Sequence, residues 1–322
     1  MKALIFGATG YVGAAVARAL RRRGYDVHGV ARTPSHHETL GAAHVVPVDC
    51  ALSDSSAVRS LVAGYNAVVF AAMMTWTEEV PLLEAILSGV EGGKRVFLYT
   101  SGTGVLSLPN RMGEWDENCF AEDDPFPFQP TPDSVIRLRN ERMVRDASDG
   151  QLRTIVVRPP LIWGNAGSIQ IPRMFDSALK TGAVCYLGRG LNLYSNVHVD
   201  DLAEVYALAA ERGPPGALYH AVAGEANFRS LAEAISAATG CPTRSIDYAQ
   251  ACDLWGAGWV DLAIAVNSRS TSPRARSDLG WNPVHLDVVE DIRNGSYRAM
   301  FEAREGWAAM GFTYTGAHGP AS

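Results

Sequence analysis

Short apolar runs alternate with amphipathic stretches through the first half of the chain. "KALIFGA" (2–8), "DVHGVAR" (26–32), "HVVPVD" (44–49), "AVVFAA" (67–72) and "RVFLYTS" (95–101) carry apolar residues at neighbouring positions. A strand exposed on one face would alternate strictly, so these runs predict strands covered on both faces. Tyr11–Arg23, ended by Gly24, and Glu78–Leu87 repeat apolar residues at helical spacing. Strands separated by helices imply right-handed crossovers and a sheet covered by helices on each side. The predicted fold class is α/β: a Rossmann-type doubly wound parallel sheet with a smaller mixed C-terminal substrate-binding region.

The pattern breaks from Leu106 to Pro132, where proline, acidic and aromatic residues mix ("EWDENCFAEDDPFPFQPTP"). That stretch is too polar for a core element and too aromatic for a disordered linker, and it predicts a loop over one edge of a cleft. A helix over 133–147 and the strand "RTIVVRPP" (153–160) return the chain to the sheet. Further helices are expected near 172–181, 200–212 and 229–239, with a short strand at "GALYHAV". Residues 1–165 therefore read as the dinucleotide-binding domain. Residues 166–322 read as mainly substrate-binding, with a segment near 190–212 returning to the first core.

Composition narrows the functional classes. The chain has 322 residues and a formal charge of −6, which gives no concentrated basic field for nucleic acid or a membrane surface. The basic cluster Arg21–Arg23 suits the C-terminal end of a helix. Cys50, Cys119, Cys185, Cys241 and Cys252 are odd in number and widely spaced, as expected of reduced thiols in a cytoplasmic protein. The N-terminus enters a strand directly, and no stretch is long and apolar enough to span a bilayer.

"GATGYVG" lies between the first strand and the first helix, with glycines at Gly7, Gly10 and Gly13. Glycines there let backbone approach a pyrophosphate, and the helix directs its positive end and free N–H groups at the phosphates. The second strand ends at Arg32, where a site for NAD(H) usually places an acidic residue on the ribose 2′-hydroxyl. A guanidinium suits a 2′-phosphate, and Thr33, Ser35 and His36 offer further donors. NADP(H) is favoured over NAD(H) as the cofactor.

The spacing Gly7-x-x-Gly10-x-x-Gly13 resembles the extended and atypical short-chain dehydrogenase/reductase superfamily, the NAD-dependent epimerase/dehydratase group. The likeness continues through "VVPVDCALSD", "VVFAAM", "YTSGTGVL", "VVRPPLIWG", "SNVHVDDLAEVYALA" and "ARSDLGWNP", and so covers nearly the whole chain. It implies cofactor contacts from Gly7, Thr9, Gly10, Tyr11, Val12 and Gly13 at the turn. Asp49 and Cys50 would meet the adenine, and Ala71, Ala72 and Met73 would line the cofactor. Thr100, Ser101 and Arg137 would also bind the cofactor, and the run Pro159, Pro160, Leu161 and Ile162 would sit beside the nicotinamide. Within this pattern His198 reads as a structural hydrogen-bonding residue and Asp200 as a helix cap; no metal is expected.

Members of the group that move hydride usually carry a Ser or Thr after the fifth strand and a Tyr-x-x-x-Lys on the next long helix. Here Gly102 falls at the serine position between Ser101 and Thr103, while "DSVIR" puts Asp133 at the tyrosine and Arg137 at the lysine. Four residues apart on a helix, Asp133 and Arg137 can pair. The cation would lower the carboxyl pKa and make Asp133 a poor acid near neutral pH. Arginine does not release its proton, yet it can hold a ribose or a developing oxyanion. Thr103, Tyr194 or water are the other candidate proton donors, with Trp76 and Trp163 as pocket walls.

Three functions fit. One is an NADPH-dependent reductase of a small carbonyl, imine or activated alkene with a non-standard proton donor. Another is a redox-neutral isomerase, cyclase, dehydratase or lyase. The third is a non-catalytic dinucleotide-binding regulator resembling NmrA-like proteins. A small-molecule substrate and a possible homodimer are the expected partners.

Overall fold

The computed structural model describes residues 1–125 and 130–303, with the side chains of Pro132 and Asp133 outside the described set. The first half runs β1 (Lys2–Phe6), α1 (Tyr11–Arg22), β2 (Asp26–Ala31), α2 (Pro34–Ala42), β3 (Val46–Asp49), α3 (Ser55–Val62), β4 (Ala67–Phe70), α4 (Trp76–Val90) and β5 (Arg95–Thr100). After β6 (Leu108–Pro109) come α5 (Pro132–Asp146), β7 (Leu152–Arg158), β8 (Leu161–Trp163), α6 (Gln170–Thr181), β9 (Val184–Leu187), β10 (Leu193–His198) and α7 (Val199–Arg212). The remainder is β11 (Ala217–His220), β12 (Gly224–Asn227), α8 (Phe228–Thr239), β13 (Thr243–Ile246), α9 (Tyr248–Trp255), α10 (Ala257–Trp259), β14 (Val266–Asn267), α11 (Pro273–Leu279), α12 (Val288–Asn294) and α13 (Ser296–Ala303).

Seven strands form one parallel sheet in the order β11-β7-β5-β4-β1-β2-β3. This is the doubly wound arrangement expected from the apolar runs, and β4 is buried at every position because helices cover both its faces. The chain reverses direction across the sheet between β1 and β4. In such sheets the crevice beyond the carboxyl ends of those strands is where ligands bind. On one face α1 and α7 pack beside each other over Val16, Leu20, Leu202 and Tyr206. On the other, α3 and α4 cover Leu4, Phe6, Val68, Phe70 and Phe97.

A second core is built from α6, α8, α12 and α13, with Phe175, Phe228, Ile235, Ile292 and Tyr297 at its centre. It adjoins small sheets, β12-β10-β8 and β13-β9. The segment α7 and the strand β11 belong to the first core, so the chain crosses between the two cores more than once. Among the described residues no helix is long and apolar enough to cross a membrane.

Two short helices, α2 and α3, were not anticipated from periodicity. α2 buries only Leu40 and starts on a Thr33 cap, while α3 starts on Asp54, whose carboxylate accepts from Ser56 and Ala57 N–H groups. Capping rather than an apolar stripe marks such helices. The helix expected near residue 200 also starts earlier, at Val199. The cap of α7 is His198, whose Nδ1 accepts from Asp200 N at 3.2 Å, rather than Asp200 itself.

Candidate active site

The glycine turn follows β1 directly. Gly7 has φ +86°, and a Cβ on it would lie 2.6 Å from the Ala71 carbonyl oxygen beyond β4. A Cβ on Gly13 would lie 2.1 Å from the Gly7 oxygen. Turn, helix and neighbouring strand therefore approach more closely than any side chain allows, and the turn stays folded through Gly10 N donating to Gly7 O at 2.9 Å. Gly10 caps α1 without a side-chain bond, so the first-turn N–H groups at Tyr11, Val12 and Gly13 face the crevice end of the sheet uncapped by a side chain. A cradle of bare backbone ahead of a helix fits a pyrophosphate. Thr9, Tyr11 and Val12 are half-buried in it, and Gly10 is exposed.

At the far edge, Arg32 is exposed just beyond β2, and its guanidinium has no hydrogen bond or ion pair among the described residues. Thr33 and Ser35 hydroxyls lie 2.9 Å apart beside it, and His36 Nδ1 accepts from Arg32 N at 3.2 Å. Asp49 pairs with His37 Nε2 at 2.7 Å, and Cys50 is half-buried beside it. Ala71 and Ala72 are half-buried after β4, whereas Met73 is 65% exposed, which makes it a rim residue.

A second group of polar side chains meets at the carboxyl end of β5. Arg137, on α5, donates from Nε to Ser101 Oγ at 3.0 Å and from Nη2 to the Thr100 carbonyl at 3.4 Å. Its guanidinium lies over the Trp76 ring, 5.1 Å from the centroid. Nη1 has no partner among the described residues. The pairing expected between Asp133 and Arg137 involves a side chain outside the described residues.

Ser101 in turn donates its hydroxyl proton to Glu141 Oε1. Glu141 is gripped from the other side by Arg158, with Nε donating at 2.9 Å, and their side chains are only 5% and 8% exposed. Arg158 Nη1 reaches His220 Nε2 at 3.3 Å, and His220 Nδ1 lies 3.0 Å from the Thr271 carbonyl. A carbonyl only accepts, so His220 carries its proton on Nδ1 and receives from Arg158 on Nε2. Burial and the adjacent guanidinium push the His220 pKa down to about 4. Five side chains thus form one chain of hydrogen bonds from half-buried Arg137 to buried His220 on β11.

That chain has a chemical consequence. Ser101 has one proton and gives it to Glu141, so its remaining role is to accept from Arg137. Thr103 sits in the following turn with its N–H on the Pro159 carbonyl at 3.0 Å, and its buried Oγ1 has no partner. Tyr206 donates to Thr100 Oγ1 at 2.7 Å from α7. Tyr194, on β10, is 6% exposed and would lie 3.9 Å from a Cβ on Gly104. Burial raises its pKa, against the Ser268 and Ser107 hydroxyls and the Arg137 charge. Pro159, Pro160 and Leu161 are buried beneath the same end, with Ile162 half-buried.

Sequence reasoning did not single out Glu141, Arg158 and His220 as a network. Arg158 was the available signal, a charged residue closing the apolar run Ile155–Val157. It also missed Glu79, buried under Arg137 and accepting from Tyr99 and Asn140; burial raises its pKa, opposed by the Arg137 charge. Among the described residues no cluster of His, Cys, Asp and Glu is arranged to hold a metal.

The model of the NAD dependent epimerase/dehydratase family matches residues 3–221. The chain belongs to this family. Its relatives include an uncharacterized protein of Schizosaccharomyces pombe, 27% identical over 92% of this chain and 100% of its own length. A 2-alkyl-3-oxoalkanoate reductase of Stenotrophomonas maltophilia is 30% identical over 75% of this chain and 77% of that protein. The crystal structure of a dTDP-glucose 4,6-dehydratase from Bacillus anthracis in complex with NAD superposes with a TM-score of 0.76 at 15% identity, covering 96% of this chain and 99% of that one. At that identity the likeness is one of fold. The family is nicotinamide-dependent, and the close backbone approach at Gly7, Gly10 and Gly13 fits its dinucleotide.

Proposed function

We propose that the protein is an NADPH-dependent reductase of a small carbonyl, imine or activated alkene. The observation carrying this reading is the Arg137 guanidinium, held by Ser101 and Thr100 at the carboxyl end of β5 with Nη1 left to bond elsewhere. When bound, the nicotinamide supplies the hydride. Arg137 would hold its ribose or the substrate oxygen, where a fixed cation stabilises charge as it develops without reorganising. Trp76 beneath the guanidinium limits its motion.

The proton has to come from another group, since Ser101 is committed to Glu141 and arginine keeps its own. Thr103, Tyr194, Asp133 and water remain candidates for that role. The same commitment favours a second reading, a redox-neutral isomerisation or elimination in which no net proton is delivered to a reduced product. A 3-oxo acid is the first substrate to test, because a reductase of 2-alkyl-3-oxoalkanoates is a relative over three quarters of the chain.

For the cofactor, the Arg32 guanidinium, without a partner among the described residues and beside the Thr33 and Ser35 hydroxyls, supports NADP(H). A charge-assisted bond of this kind contributes about 1.5–3 kcal/mol. Arg32→Ala is therefore expected to weaken NADPH binding by about 10- to 100-fold while leaving NADH unchanged. Calorimetry of both nucleotides with wild type and variant tests this, and equal NADPH affinities would exclude Arg32 as the 2′-phosphate ligand. Substrate-dependent loss of NADPH absorbance then separates the reductase from the redox-neutral reading, in which product forms with the NADPH signal constant.

A further inference from the structure

Residues 164–168 trace an unusual backbone. Gly164, Asn165, Ala166 and Ser168 have φ of +100°, +50°, +54° and +89°. Three of them carry a Cβ in the left-handed region, a conformation that persists only where surrounding bonds over-determine it, and such segments cluster at functional sites. The bonds that hold this one are identifiable. Tyr297, on α13 and fully buried, accepts from Gly164 N at 3.0 Å and donates to the Gly167 carbonyl at 2.7 Å. Its neighbour Ser296 accepts from Ala166 N at 2.7 Å.

On its opposite side the same loop seats the first residue of the cofactor helix. Tyr11 donates to the Gly164 carbonyl at 2.6 Å. A Cβ on Gly167 would lie 2.1 Å from the Tyr11 ring, so the ring rests directly on that glycine. A parallel link runs through Asp200, which accepts from Asn165 Nδ2 at 3.2 Å and from Arg18 of α1 at 3.1 Å. The start of α1, whose backbone N–H groups have no side-chain cap, is thus joined to the second core through the strained loop, with the Tyr11 phenol on one side of it and the Tyr297 phenol on the other.

We propose that Tyr297 is a positioning residue for the dinucleotide, setting the first turn of α1 through the 164–168 loop and Tyr11. The inference rests on the reading of Gly7–Gly13 as a dinucleotide cradle. It makes cofactor affinity depend on how α13 is docked, although α13 belongs to the second core. Tyr297→Phe keeps the ring packed against Phe175 and removes only the hydroxyl.

The test is calorimetric binding of NADPH to the full chain, with thermal unfolding of each nucleotide-free variant measured beside it. Tyr297→Phe and Tyr11→Phe are each expected to raise the Kd about tenfold, and the double variant to be no worse than the weaker single one, because both cut the same path. Ile235→Val, in the second core but away from the loop, serves as a control that lowers stability without moving the Kd. A Tyr297→Phe protein that unfolds earlier but binds NADPH like wild type would leave Tyr297 a structural residue and overturn the proposal. Multiplicative losses in the double variant would overturn the shared path. Wild-type protein that binds no dinucleotide would overturn the cradle reading itself, and this inference with it.

Discussion

Glu141→Leu is expected to lower stability by about 3–5 kcal/mol, because it leaves the Arg158 guanidinium buried without its counter-charge. Both side chains are more than nine-tenths buried, so water cannot replace the lost partner. His220 cannot take over, since it meets Arg158 with a single neutral nitrogen. A shift of the denaturation midpoint measures the loss. The double variant Glu141→Leu with Arg158→Met is expected to regain a large part of it, as buried pairs replaced by apolar side chains of similar volume often do. If the single variant unfolds like wild type, the pair is more hydrated than its burial indicates. The same substitution frees the Ser101 hydroxyl proton, so any activity that returns with a new pH profile would identify the commitment of Ser101 as functional.

The parts of this architecture legible in the sequence are those set by local physics. Buried parallel strands read as unbroken apolar runs, and β1, β4 and β5 stand where "ALIF", "AVVF" and "VFLYT" predict them. The glycine turn was legible because only glycine fits at position 13, where a Cβ would lie 2.1 Å from the Gly7 oxygen. Register along α5 was legible far enough to bring Arg137 to the end of β5. What was not legible depends on contacts between distant segments. Ser101 meets Glu141 across 40 residues and Arg158 meets His220 across 62, and neither pair leaves a periodic mark in the chain. The Tyr297 clamp on residues 164–167 spans 130. The helices α2 and α3 escaped because one buries a single leucine and the other two valines, too few for a stripe. The cap of α7 was assigned to Asp200 on residue preference, but the His198 imidazole two residues earlier does the same work with its Nδ1 lone pair.

His220 also makes stability depend on pH in a predictable direction. In the unfolded chain its pKa is near 6.5, and in the fold burial and Arg158 push it down to about 4. Between those values the unfolded chain binds more protons, so stability rises with pH. The contribution is complete above about pH 6.5 and is lost as pH falls through the folded value. A displacement of this size corresponds to about 3 kcal/mol. Glu122, which accepts from His220 N at 3.0 Å, is pushed the other way by burial, so acidification relieves its desolvation and masks part of the loss in wild type. Comparison with His220→Asn isolates the imidazole, since asparagine keeps a donor and an acceptor near Thr271 and Arg158 but does not titrate. The stability advantage of wild type over the variant at pH 7 is expected to shrink by about 3 kcal/mol by pH 4. A difference constant across that range would mean that His220 can protonate in place. Arg158 would then have to turn from His220 wholly towards Glu141, and the chain of hydrogen bonds would end one residue short of β11.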